Sequence, residues 1–333
     1  MTEARVTKDS VSHFLRKSFV EELYRVSRNK LGLMGFELAD YKATPVRQSK
    51  SGRKFVIEYA LSLADRSHHQ LTLGLIGKGR PEITYRQTYA VMEELWREGF
   101  DGRDDLRIVR PLGFLPASKL ILTAKAEGTN LKDLLLSNDS SASSSVRLAG
   151  NWLSKLHRAK AKSAKRHHLE EEEETINGWV LRLASLYPSC SERVRLMGRH
   201  ILEIERSAPK RSALIHGDFH PSNIFVNGRS LTVIDFDACC FFDPAQDLGY
   251  FLVQLEKAKR RYRLSFDVRS LRQNFLDGYA PEDPEVFDRI GCYEARSCLL
   301  LLHYNYWTFR KEFNAEEFEY WLHMAEVSLR RGT

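Results

Sequence analysis

The sequence is short of the features that mark several large protein classes. Its five cysteines are odd in number and include no Cys-x-x-Cys pair, which argues against a disulfide framework or a zinc site. No run approaches the ~18 apolar residues of a membrane-spanning helix, and the opening MTEARVTKDSVSHFLRK carries no apolar secretory core. Basic and aromatic residues form no joint cluster, so no nucleic-acid partner is expected. The net charge of +7 is spread along the chain rather than blocked; it favours anionic partners without naming one, and a nucleotide would satisfy it. These absences lead to the expectation of a cytoplasmic protein with no membrane partner.

What remains is ordinary globular material. A chain of 333 residues, 43% hydrophobic and 29% charged, is long enough for about two domain-sized units with a substantial core. Cys239 and Cys240 follow a strand-like run and read as small buried hydrophobes.

One stretch, Ala213 to Leu248, concentrates polar residues in a pattern with chemical meaning. It holds His216-Gly217-Asp218, then Asn223, then a hairpin, then Asp235-Phe236-Asp237, and finally Asp247. The runs Ile224–Val226 and Leu231–Ile234 flank Asn227-Gly228-Arg229-Ser230, a turn whose Asn-Gly adopts positive φ at little cost. If Ile224 faces Ile234, Asn223 faces Asp235 with Cα atoms roughly 5 Å apart. An amide oxygen and a carboxylate brought together make a hard-oxygen pair suited to Mg²⁺. Asp218, in a Gly-containing loop, is placed to meet an acceptor hydroxyl. Read as plain structure, the same residues would be Asx-turn formers and a strand end.

The stretch resembles the aminoglycoside phosphotransferase and choline kinase branch of the protein-kinase-like fold, whose catalytic loop reads His-Gly-Asp-x4-Asn and whose metal Asp ends a strand. The resemblance implies an α+β protein in two lobes, an antiparallel-sheet N-terminal lobe over 1–127 and a larger, mainly helical lobe over 128–333. It implies transfer of the γ-phosphoryl group of ATP, with Mg²⁺, to a hydroxyl of a small molecule. In that reading Asp218 is the catalytic base and Asn223 and Asp235 are metal ligands. His216 braces the loop, Asp237 is a second acid at the metal site, and Asp247 holds the loop backbone.

The remaining chain is read against the same pattern. An amphipathic helix is expected over Ser10–Lys30, and two strands around Ser49–Lys54 stand where the family covers phosphate. Gly52 there stands alone in place of a Gly-x-Gly-x-x-Gly loop, and Lys50, Arg53 and Lys54 are the cations available. A strand over Leu71–Ile76 delivers Lys78 to the position that meets the α- and β-phosphates in the family. The following helix, Ile83–Glu98, offers Glu94 as that lysine's partner, or none. Thr123 to Ala126, including Lys125, stand where the family's backbone meets the adenine edge. His157 reads as a structural histidine, and the acids Glu170–Glu174 as a solvated run. Tyr279, Tyr293, Tyr304, Tyr306 and Trp307 are able to form either a helix core or a cage for a quaternary ammonium. A nucleotide-binding regulatory module that does no chemistry is the alternative function, since the glycine-rich loop is absent.

Overall fold

The computed structural model describes residues 9–49, 54–79, 85–207, 212–262, 264, 266–280 and 284–331. Lys50 and Arg53, expected near phosphate, and the start of the expected Ile83–Glu98 helix lie outside the described residues. The chain falls into two compact units. The first runs to Glu127 and also takes in Ala161–Ser163 and Thr232–Asp237, while the second contains the rest.

In the first unit, a short helix α1 (Asp9–Ser12) and α2 (Lys17–Leu31) precede an antiparallel sheet. Its strands are β1 (Phe36–Gln48), β2 (Phe55–Asp65), β3 (Gln70–Gly79), β5 (Pro111–Leu115) and β6 (Leu120–Ala124), in the order β1-β2-β3-β6-β5; the short strand β4 (Leu106–Ile108) lies outside this sheet. Alternation along β2 sends Phe55, Ile57, Tyr59, Leu61 and Leu63 into a core shared with Phe19, Val20 and Leu23 of α2. The helix expected over Ser10–Lys30 is interrupted at Arg16, whose backbone is extended; α2 supplies its greater part, and Gly32 closes α2 in the left-handed region. Lys78 stands near the end of β3, between Val56 and Ile121 of its neighbours. Next to it, Gly79 packs so close to the Phe55 ring that a Cβ would lie 2.1 Å from it. Helix α3 spans Arg86–Leu95 and ends in a wider turn, Trp96–Phe100, in which Gly99 has φ +99°.

The second unit is mostly helical. Short strand β7 (Thr129–Asn130) leads into α4 (Leu131–Leu136) and α5 (Ala142–Arg158), followed by β8 (Lys165–Arg166), α6 (Leu169–Leu186) and α7 (Ser191–Ser207). Strands β9 (Ala213–Ile215), β10 (Ile224–Asn227), β11 (Ser230–Val233) and β12 (Cys240–Phe242) bracket the polar stretch. Four helices close the chain: α8 (Ala245–Tyr262), α9 (Val268–Gly278), α10 (Ile290–Leu302) and α11 (Ala315–Arg331). Helix α10 is apolar on nearly every side, as a helix enclosed by others must be, and lies in a core with α6, α7 and α11. Among the described residues, no helix is long and apolar enough to cross a membrane.

Two expectations change here. The acidic run Glu170–Glu174 is not uniformly solvated, because α6 turns Glu172 inward. Arg296 of α10 grips both its oxygens, with Nη2 at 3.0 Å, and His167 Nε2 lies 2.9 Å away. Burial works against the Glu172 charge, but the Arg296 charge and the hydrogen bonds from His167 and Arg296 outweigh it and bring its pKa down to about 2. Cys239 and Cys240 are half-buried rather than enclosed; burial still pushes the Cys240 thiol up to about 12, away from thiolate chemistry.

Beside that ion pair lies an unbalanced group. Glu205 of α7 is buried, and among the described residues neither carboxylate oxygen has a hydrogen-bond partner. Burial first, and then the Glu172 charge, push its pKa up to about 8 from 4.5. The folded state therefore holds a proton that the unfolded chain has released, and stability falls as pH rises from 4.5 through 8. Glu205→Gln is expected to be more stable than the parent, with a melting-temperature gain larger at pH 8 than at pH 5. A gain that is equal at both values would show that Glu205 is not protonated in the fold.

Candidate active site

The polar stretch is built from its supports outward. Strand β9 pairs antiparallel with β12, Ile215 opposite Cys240, and hands the chain to His216-Gly217-Asp218. Asp247, fully buried in the first turn of α8, accepts the His216 N–H at 2.6 Å on one oxygen and the Gly217 N–H at 2.8 Å on the other. His157 Nε2 lies 3.2 Å from the same carboxylate, and its Nδ1 lies 2.8 Å from the Tyr279 hydroxyl. Gly217 is held at φ +78°, and a Cβ there would come within 2.5 Å of the Ala238 carbonyl oxygen, so the clamp and the turn require glycine.

Below the loop the side chains alternate between support and presentation. His216 is buried, and its Nδ1 accepts the Asp218 N–H at 3.3 Å. Phe219 is buried too, stacked on Trp152 at 5.5 Å and packed against Phe251. Asp218, between them, keeps a side chain 41% exposed. Burial raises its pKa, but His220, His216 and Tyr250 outweigh that and hold it below the usual carboxylate range. It is therefore an anion at neutral pH and able to accept a proton.

Downstream, His220 caps the single turn Pro221–Asn223 by accepting the Ser222 N–H on Nδ1 at 3.2 Å. That bond leaves Nε2 as the protonated nitrogen of the neutral ring, and Nε2 faces Asp218 Oδ1 at 3.6 Å. Asn223 is buried and donates Nδ2 to the Asp218 carbonyl at 3.0 Å, which leaves Oδ1 as its acceptor atom. Asn130 donates to the Ser222 carbonyl at 2.7 Å, pinning the loop from β7. His220, Tyr250 and Asn130 were not singled out by sequence; His220, two residues after Asp218 and before Pro221, carries a legible capping signal, whereas Tyr250 and Asn130 are brought in only by tertiary packing.

Asp235 and Asp237 belong to the other unit, with Lys78. Strand β11 ends at Val233, whose carbonyl accepts the Val109 N–H at 3.0 Å, so Ile234 is not part of the strand as expected. Asp235 then adopts φ +69°, an uncommon conformation that Asp tolerates better than most residues. Lys78 Nζ bridges the pair, 2.5 Å from Asp235 Oδ1 and 2.6 Å from Asp237 Oδ2. Burial opposes the lysine's charge, but the two carboxylates more than compensate and hold its pKa above the ordinary value. Two carboxylates gathered on one ammonium are hard-oxygen donors, the ligand type a divalent ion such as Mg²⁺ takes.

Glu94 does not partner this lysine. It accepts the Ser163 N–H at 3.2 Å and the Ser163 hydroxyl at 2.6 Å, while Glu93 binds Lys30. The buried stripe of α3, Thr88, Val91, Met92 and Leu95, turns both acids toward those partners. Thr123 lies within β6, between Ile76 and Pro111. The next two amides are engaged, Ala124 with the Arg110 carbonyl and Lys125 with that of Gly74, and the Lys125 ammonium pairs with Glu58 at 2.6 Å. The first backbone beyond the ladder is at Ala126. Tyr279, Tyr293 and Tyr306 are core residues, not a cage; Tyr304 and Trp307 are exposed.

The second unit presents a carboxylate on a clamped loop and the first gathers a lysine on two strand-end acids; these are the parts of a protein-kinase-like fold of the phosphotransferase type. The family model described as "Phosphotransferase enzyme family" matches residues 71–289, and the chain belongs to that family. Among solved structures it is similar to a choline/ethanolamine kinase family protein from Mesorhizobium loti, at 17% identity over 94% of this chain and 97% of that one, TM-score 0.61. It is also similar to the choline kinase LicA from Streptococcus pneumoniae, at 13% identity over 91% and 97%, TM-score 0.56. A third likeness, to the amicoumacin kinase hAmiN in complex with AMP-PNP, Ca²⁺ and Ami, has 16% identity over 97% and 96%, TM-score 0.58. No curated protein matches the sequence.

The Asp247 clamp has a measurable cost of removal. Asp247→Ala leaves the His216 and Gly217 amides without their acceptor in a buried place and should destabilise the chain by roughly 2–4 kcal/mol. Chemical denaturation measures this, and a change below ~0.5 kcal/mol would mean that the loop holds its shape without the carboxylate.

Proposed function

We propose that this protein transfers the γ-phosphoryl group of ATP, with Mg²⁺, to a hydroxyl of a small molecule. The observation that carries the reading is Asp218: an ionised, half-exposed carboxylate on a backbone held rigid by Asp247. The acceptor oxygen attacks the γ-phosphorus, its proton passes to Asp218, and the bond from phosphorus to the β–γ bridging oxygen breaks to release ADP. His220 orients the base through Nε2, and Phe219 anchors the loop from below.

Asp235 and Asp237 would hold the metal, and Asn223, with its amide nitrogen tied to the loop, is the ligand that the sequence pattern adds. When bound, a divalent ion neutralises charge on the transferring group. Lys78, already gathered by these two carboxylates, is the cation available to the α- and β-phosphates. The amicoumacin kinase complex, which holds an ATP analogue and a divalent ion, supports the nucleotide and metal assignments.

Two substitutions separate the roles. Asp218→Ala is expected to reduce transfer by more than ~100-fold while ATP binding persists, checked by product formation and nucleotide titration side by side. Parent-level turnover would remove Asp218 from the reaction. Asp235→Ala should instead weaken nucleotide binding in Mg²⁺ and leave metal-free binding little changed; identical Mg²⁺ titrations for variant and parent would exclude Asp235 as a ligand.

A further inference from the structure

The second unit contains a cavity of about 480 Å³ lined by Lys257, Arg260, Arg261 and Lys311 against Glu316 and Glu317. Its charges do not cancel. Arg260 pairs with Glu316 at 3.3 Å, but among the described residues neither Lys257, Arg261 nor Lys311 has a carboxylate within ion-pair distance. Lys257 reaches only the Gln254 side-chain oxygen at 3.3 Å, and Lys311 only the Asn305 side-chain oxygen at 2.6 Å. Glu317, the nearby acid, takes a weak contact from Asn305 at 3.4 Å. Burial, followed by repulsion from Lys311 and Arg261, pushes the Lys257 pKa down. A lysine that neighbouring cations disfavour in a recess is stabilised by an incoming anion.

One helix, α8, carries both a lining residue of the cavity and a neighbour of Asp218. Tyr250, Gln254, Lys257 and Arg261 recur at steps of four, three and four along α8, which places them on one face. Tyr250, at the head of that stripe, acts on Asp218, and the Asp218 charge reaches Lys257. Tyr250 to Lys257 spans seven residues, about 10 Å of helix axis.

We propose that the phosphoryl acceptor is an anionic hydroxy compound, a sugar phosphate or hydroxy acid, whose acid group binds Lys257 and Lys311 while a hydroxyl meets Asp218. This deepens the phosphotransferase reading and rests on it, because Asp218 defines the transfer end. The site is ill-suited to an ammonium-bearing acceptor: the recess offers a surplus of cations, and three of the four tyrosines that would form an aromatic cage, Tyr279, Tyr293 and Tyr306, are core residues.

Calorimetric titration of the full chain with glucose 6-phosphate and glycerate, each against its neutral counterpart glucose or glycerol, and with choline as the cationic probe, tests the proposal. The two anions should bind, and Lys257→Met with Lys311→Met should weaken them at least tenfold without lowering the melting temperature, since two opposed charges are removed. Failure of both anions to bind, equal binding by the double variant, or preference for choline would overturn it. Should the double variant fail to fold, Lys257→Met alone serves, and unchanged anion binding by it overturns the proposal equally. Asp218→Asn separates this from the underlying reading: it should still prefer the anions to their neutral counterparts and to choline while losing ATP-dependent phosphorylation of a metabolite extract. Retained phosphorylation would sink the phosphotransferase role of Asp218 and leave the anion-binding result standing.

Discussion

The site rests on one buried carboxylate. Asp247 has no exposure, yet the bonds it makes are to groups that shape the His216–Asp218 loop: the amides of His216 and Gly217, and the imidazole of His157. A buried anion is tolerated only when its oxygens are fully occupied, so the carboxylate and the loop specify each other. Its position at the start of α8 adds a second constraint, because Asp243 caps that helix through the Ala245 N–H while pairing with Arg289. The loop is therefore held by a helix whose own beginning is fixed by an ion pair.

Much of this was legible in the sequence, for reasons that differ by residue. Local chemistry survives translation from sequence to structure: the Asn-Gly turn, the His-Gly-Asp loop and the strand that delivers Lys78 all depend on neighbours in the chain. Partnerships across the fold do not. Glu94 stands on the expected helix, but its engagement with Ser163 arises from a segment more than sixty residues away. Likewise, nothing near Glu172 announces Arg296, and the acidic run therefore read as solvated. The strand-end geometry failed by one residue because the carbonyl of Val233 is claimed by Val109 and the chain turns left-handed at Asp235.

Electrostatics divides the molecule's ionisable groups by how they are balanced. Lys78 beside two aspartates, and Glu172 gripped by Arg296, keep their charge despite burial. Glu205 is an acid that burial neutralises, a cost to stability with no evident return. Lys257 and Lys311 form a third kind, same-sign groups facing a space. This last arrangement is improved by an anion from outside the chain.

Helix α8 links the two ends of the proposed reaction through its pitch. Its first turn fixes the loop, its second carries Tyr250, and the fourth opens on the cations, so a single rigid rod sets the distance between chemistry and recognition. Acceptor preference in such a layout is free to drift by exchange of distal side chains such as Arg261, leaving the proximal turn untouched. Insertion of one residue between Tyr250 and Lys257, by contrast, would rotate the far end by about a hundred degrees and swing the recognition groups off the substrate's path.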